Sequence, residues 1–298
     1  MVWMVWIGSW YTADGAELSR QLSSWLEAAA AAPCDPRIER DAKVRCVIAP
    51  HAGYSYSGPC AAHAYTHLRA AGVKRVFLLG PSHHYYLSGC ALSTASVYRT
   101  PVGDLEVCSS TYAELRETGA FEEMCMSDDE AEHSMEMHAP YIAHIFAGSG
   151  AKLVPILVGA LSLSNEERYG RLLAPYLHDP GSVFVISSDF CHWGRRFRYT
   201  PFHATSTPER PLFANIEALD RQGMELIEKV DARGFSRYLI DTGNTICGRH
   251  PITVCLFMLD AFDGGDHSVL FTKYEQSSPA QTIHDSSVSY ASAVVMKK

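Results

Sequence analysis

The chain has 298 residues, of which 47% are hydrophobic and 19% charged, with a formal net charge of −8. This is ample apolar material for a large core and too little charge for a disordered chain. The acidic balance argues against a broad nucleic-acid footprint, which needs a basic face. Nine cysteines without a CxxC pair fit a reducing compartment, so a cytoplasmic location is expected, with the nucleus also open.

The opening Met1-Val2-Trp3-Met4-Val5-Trp6-Ile7-Gly8-Ser9-Trp10 is apolar but lacks the basic region of a signal peptide, and Tyr11-Thr12-Ala13-Asp14-Gly15 ends it. It is too short to cross a bilayer, and no later run reaches about eighteen apolar residues, so no membrane span is expected. Leu18, Leu22, Trp25 and Leu26 share a helical spacing that the alanines at 28–32 continue, until Pro33 and Pro36 stop it. Short apolar runs follow at 44–49, 76–79, 153–158 and 183–186, bounded by Gly, Pro or Ser. Their length and β-branched content predict strands buried on both faces. Segments 61–70 and 166–177 have helical spacing, and 287–295 alternates like a late strand. The pattern predicts one domain over 1–298, an α/β sandwich with a mostly parallel central sheet flanked by helices.

Three of the strands end alike. Run 44–49 leads into Pro50-His51-Ala52-Gly53, run 76–79 into Gly80-Pro81-Ser82-His83-His84, and run 183–186 into Ser187-Ser188-Asp189-Phe190-Cys191-His192. Any one of these histidines by itself reads as a core or rim residue bonded to backbone. Three of them just past three strand ends point to one cleft at the carboxyl edge of the sheet, within about 10 Å of one another. Imidazole serves there as metal ligand or as general base.

Asn244-Thr245-Ile246-Cys247-Gly248-Arg249-His250-Pro251 adds a fourth element. The Asn-Thr pair can cap a following turn or helix, leaving Cys247 at a positive dipole end, where a thiolate is favoured as ligand or nucleophile. Segment 129–138 is dense in ligand types without forming HExxH. Read as one helix, it shows Glu132 and Glu136 on one face and His133 and Met137 on another, either covering the cleft or supporting its ligands. No GxGxxG, P-loop, GxSxG elbow or paired CxxC occurs. Imidazoles with a thiol suit a soft or borderline transition metal.

The chain resembles the Memo family, mediators of receptor-tyrosine-kinase-driven cell motility. The likeness lies in Gly8-Ser9-Trp10-Tyr11-Thr12, His51-Ala52-Gly53-Tyr54, Gly80-Pro81-Ser82-His83-His84, Glu132-His133-Ser134-Met135-Glu136-Met137-His138, Ser187-Ser188-Asp189-Phe190-Cys191-His192-Trp193-Gly194 and Asn244–Pro251, which together span most of the chain. That family is similar to class III extradiol dioxygenases, non-haem iron enzymes with an α/β sandwich fold. The resemblance implies His51 and His83 as imidazole ligands and His192 as acid/base. It puts Cys247 where those enzymes place a Glu ligand. Asp189, His84, Glu132, His133, His138, Arg249 and His250 would line the cleft or support the ligands. A thiolate is softer than a carboxylate and favours Cu(I) or Zn(II) while still able to hold Fe(II). Fe(II) or Cu(I)/Cu(II) is the implied cofactor, with no organic one. Redox and signalling roles linked to the cytoskeleton are the implied function, with a phosphotyrosine-containing peptide or signalling protein as partner. Trp6 stands where the family carries a His. The alternatives are an oxygenase acting on a small molecule, a metal-free module binding anionic peptides through these histidines with Arg198 or Arg249, and a Cys247–His hydrolase.

Overall fold

The structure is a computed structural model describing residues 5–33, 35–38, 43–201, 210–263 and 267–297. Its strands are β1 Val44–Ala49, β2 Arg75–Pro81, β3 Cys90–Ser93, β4 Val97–Thr100, β5 Gly103–Glu106, β6 Phe121–Met124, β7 Lys152–Val158, β8 Ser182–Ser187, β9 His192–Gly194, β10 His267–Gln276 and β11 Ser286–Lys297. Nine form one sheet in the order β10-β11-β1-β8-β2-β7-β3-β6, with β9 joined to β11, while β4 and β5 form a separate pair. The central strands β1, β8, β2 and β7 run parallel. β11 is antiparallel to β1, β9 and β10. The four apolar runs and the late alternating segment are therefore strands of one mixed, mostly parallel sheet, and β1, β8 and β2 are neighbours.

Opposite pleats of this sheet meet different helices. Cys46 Sγ in β1 lies 3.7 Å from Cys255 Sγ in the helix Arg249–Asp263. Ser292 Oγ in β11, on the other face, donates to Cys60 O in the helix Tyr54–Tyr65 at 2.7 Å. Burial on both faces explains why all six residues of β8 are buried and why the strand reads as an unbroken apolar run. Among the described residues no helix is long and apolar enough to cross a membrane.

The first helix runs Gly15–Ala31, with the Asp14 carboxylate accepting from Ala16 N and Glu17 N. Segment 166–177 lies inside the helix Leu163–His178. The expected helix at 61–70 instead spans Tyr54–Tyr65, and residues beyond Thr66 turn away. Its start holds Ser, Gly and Pro, poor helix formers that hide it from a propensity reading. Packing decides instead. A Cβ on Gly58 would stand 2.7 Å from the Trp25 ring, so the bare glycine lets the first helix lie close. Gly58→Ala is expected to lower stability by about 1–2 kcal/mol, read as a reduced urea midpoint. An unchanged midpoint would show that Trp25 moves aside freely.

Segment 129–138 is likewise not one helix. It is divided between the helices Met126–Ala131 and His133–Glu136, with Glu132 extended between them and His138 at the N-cap of a third, Ala139–Ile145. Glu132 and Glu136 consequently do not share a face. Glu136 turns to the N-terminal segment, accepting from Val5 N, Trp6 N and the Tyr11 hydroxyl.

Candidate metal centre

Register brings the predicted histidines to one place. Ala49 of β1 pairs with Ser187 of β8, and Ile186 of β8 with Leu79 of β2, so the three strands end level. His51 follows β1 by two residues, His83 follows β2 by two, and His192 opens β9. The break at Glu132 swings His133 into the same cleft. The ring centroids lie 5.3 Å apart for His51–His83, 5.4 Å for His51–His133 and 4.3 Å for His83–His133. One nitrogen from each of these three rings lies within 4.8 Å of the others. A common ion with bonds near about 2.1 Å holds its donors roughly 3–4 Å apart, a small ring adjustment away.

Three imidazoles have their Nδ1 tied back by the protein. His51 Nδ1 meets Ser187 Oγ at 2.6 Å. His83 Nδ1 meets Glu132 Oε1 at 2.9 Å, while its backbone N–H donates to Oε2 at 2.7 Å. His192 Nδ1 lies 2.9 Å from Phe190 O and 3.2 Å from Thr245 O. Each lock leaves Nε2 available, the arrangement that orients imidazoles on a metal. His133 differs. Its Nδ1 is buried, has no hydrogen-bond partner and stands 3.6 Å from Glu132 Oε1. Three imidazoles that bring one nitrogen each within 4.8 Å of the others are a donor set that a single cation could bridge. The donor set therefore fits a borderline metal.

Electrostatics agree. Burial, reinforced by the neighbouring histidines, pushes His51 well below its ordinary range, and burial carries His133 down to about 4. Both are neutral near pH 7, as metal binding requires. Burial alone would raise Glu132, but the hydrogen bond and charge of His83 hold it at about 2. Asp189 is raised to about 7 by burial, although its Oδ1 accepts from His51 N at 2.8 Å.

Cys247 Sγ stands 3.2 Å from His51 Nε2 and accepts from Asp189 N at 3.3 Å. It lies against one imidazole and outside the close three-histidine group. In the metal-free chain its thiol is pushed well above its usual range by burial and by Asp189, against the pull expected of a helix terminus. Desolvation outweighs the dipole of the helix that begins at Arg249. Gly248 explains the close approach, since a Cβ there would meet Ser187 O at 2.3 Å.

The remaining expected residues divide. His84 is exposed, its ring 6.1 Å from His133. His138 is buried behind His51 and reaches Ser187 and Tyr65. Arg249 and His250 line a different cavity of about 560 Å³, where His250 pairs with Glu166 at 2.6 Å. Arg198 is exposed with φ 56°. Two contributors carried no sequence signal of their role. Ser187 is one, and Trp10 is the other, its ring 4.9 Å from His133 and 4.9 Å from Trp6.

The Memo-like protein family matches residues 4–294 of the chain. Protein MEMO1 of Danio rerio is 48% identical over 293 residues, covering 97% of this chain and 95% of that protein. Protein MEMO1 of Homo sapiens is 47% identical over 292 residues, with the same coverage of 97% and 95%. The protein memo-1 homolog of Caenorhabditis elegans is 45% identical over 291 residues, covering 97% of this chain and 80% of its own. The crystal structure of an uncharacterized protein, JW3007 from Escherichia coli K12, aligns with a TM-score of 0.49 at 14% identity, over 83% of this chain and 99% of that one. With a match over nearly its whole length and relatives approaching half identity, the chain belongs to the Memo-like family.

Proposed function

We propose that the protein binds one iron or copper ion in this cleft and works through it as a redox-linked signalling protein. His51, His83 and His133 supply imidazole nitrogen, and the Cys247 sulfur supplies a soft donor beside His51. The observation that carries this reading is that His51, His83 and His133 each bring one ring nitrogen within 4.8 Å of the others, while the Nδ1 atoms of His51 and His83 are already committed to Ser187 and Glu132. Such an ion supplies one-electron redox chemistry. Glu132 fixes the ring of His83 and keeps a negative charge behind it, which strengthens the ligand. His192, held by two carbonyls and outside the close group, stands free to take a proton from something in the cleft. That placement favours a second reading, an oxygenase on a small molecule with His192 as base. The proposal extends to what the motif resemblance implies, a role in cytoskeletal signalling and cell motility, with a phosphotyrosine-containing peptide as partner and the cytoplasm and nucleus as location.

Elemental analysis of protein purified without chelator or His tag, followed by anaerobic titration, tests the metal. Fe(II) or Cu(I) at a hundred times its dissociation constant stabilises the folded state by roughly 2.7 kcal/mol, read as a raised melting temperature. His83→Ala and His133→Ala are each expected to abolish the shift, and Cys247→Ser to weaken Cu(I) more than Fe(II). Variants that all respond like wild type would place the metal elsewhere. Oxygen consumption with catechols would promote the oxygenase reading.

A further inference from the structure

The carbonyl of Ser134 accepts the hydroxyl proton of Ser187 at 2.7 Å. A serine hydroxyl has no second proton to give. Yet the same Oγ lies 2.6 Å from His51 Nδ1 and 2.9 Å from His138 Nε2. Both imidazoles must therefore donate to it. His51 then carries its proton on Nδ1 and keeps a lone pair on Nε2, the nitrogen that faces Cys247 Sγ. His138 carries its proton on Nε2, so its Nδ1 accepts from the Tyr65 hydroxyl at 2.8 Å. All four side chains are buried, which removes water as an alternative partner.

We propose that Ser187, His138 and Tyr65 are positioning residues that hold His51 in the one tautomer able to bind a metal through Nε2, a proposal that rests on the metal reading above. The reversed tautomer needs the Ser187 proton at His51 Nδ1, which strips Ser134 O of its donor in a buried site. Giving that proton to His138 Nε2 instead strips the same carbonyl and turns His138 Nδ1 from acceptor to donor towards the Tyr65 hydroxyl. The Tyr65 hydroxyl closes the chain at the far end. His83 and His192 are fixed by a carboxylate and by carbonyls, so this hydroxyl-based lock is peculiar to His51 among the three.

Nitrogen NMR of the metal-free protein, labelled on histidine, reads the tautomer directly. Wild-type His51 is expected to be protonated on Nδ1 alone. Ser187→Ala is expected to give a mixture of tautomers and to weaken Fe(II) binding by about tenfold to a hundredfold. Ser187→Thr, which restores the hydroxyl, should recover both. A wild-type His51 protonated on Nε2 overturns the proposal, and so does wild-type Fe(II) affinity in a folded Ser187→Ala. The wild-type spectrum decides the matter even if the alanine variant fails to fold. An Nδ1-protonated His51 in a protein that binds neither Fe(II) nor Cu(I) leaves the lock standing and defeats the metal reading instead.

Discussion

Asp220→Ala is expected to lower stability at pH 7 by about 3–4 kcal/mol, seen as a fall in urea midpoint with unchanged slope. Asp220 lies in the helix Leu212–Glu228 and is fully buried. Its Oδ1 accepts from Asn244 Nδ2 at 2.9 Å and from Cys191 N at 3.3 Å, and its Oδ2 from the Tyr274 hydroxyl at 2.9 Å. Alanine removes one acceptor group and orphans several donors at once, each costing about 1–3 kcal/mol when left unpaired and buried. Removing the desolvated carboxylate offsets part of that loss. Asp220→Asn keeps one acceptor oxygen and should lose only about 1 kcal/mol. The damage reaches the site, because Cys191 precedes His192 and Asn244 opens the turn that carries Cys247. A midpoint for Asp220→Ala within about 0.5 kcal/mol of wild type, the range of ordinary surface changes, would show that these donors find other partners.

His138→Gln is expected to gain about 2 kcal/mol of stability relative to wild type when metal-free protein is moved from pH 7 to pH 5. Burial holds His138 at about 3 in the folded chain, against about 6.5 when unfolded. A folded-state value below the unfolded one means that the unfolded chain binds the extra proton. The stabilising effect of neutral His138 is therefore complete above pH 6.5 and is lost as pH falls towards 3. Glutamine does not titrate and escapes that loss. His51 and His133 act in the same direction. Asp129 and Asp220, both raised to about 6 by burial, act in the opposite one, because the folded chain binds their protons more readily. Total stability is thus a partial cancellation, and the single-residue difference is the informative measurement. Asp220→Asn should show the reverse sign, losing about 1 kcal/mol relative to wild type over the same interval. Equal pH slopes in wild type and His138→Gln would mean that folded His138 takes up its proton as readily as the unfolded chain does.

The sequence by itself determined the four apolar strands, the late alternating one and the histidines that follow three of them, while the short strands β3 to β6, β9 and the edge strand β10 left no such signal. β1, β2, β7 and β8 are legible because a strand covered on both faces must be apolar at successive positions, a local property of the chain. The right edge for His51, His83 and His192 followed, since parallel neighbours place their carboxyl ends together. Tertiary structure decided the rest. Tyr54–Tyr65 is helical because Gly58 lets Trp25 approach, a contact that outweighs poor propensity at Ser, Gly and Pro. Segment 129–138 breaks because Glu132 is drawn to His83, 49 residues away, and that break swings His133 into the donor group. Burial and Asp189 push the Cys247 thiol up, against the pull of the nearby helix terminus. Ser187 acquired its part only when β8 placed its hydroxyl between two imidazoles from distant segments. Periodicity records which residues are buried, whereas hydrogen-bond partners and desolvation depend on what the fold brings against them.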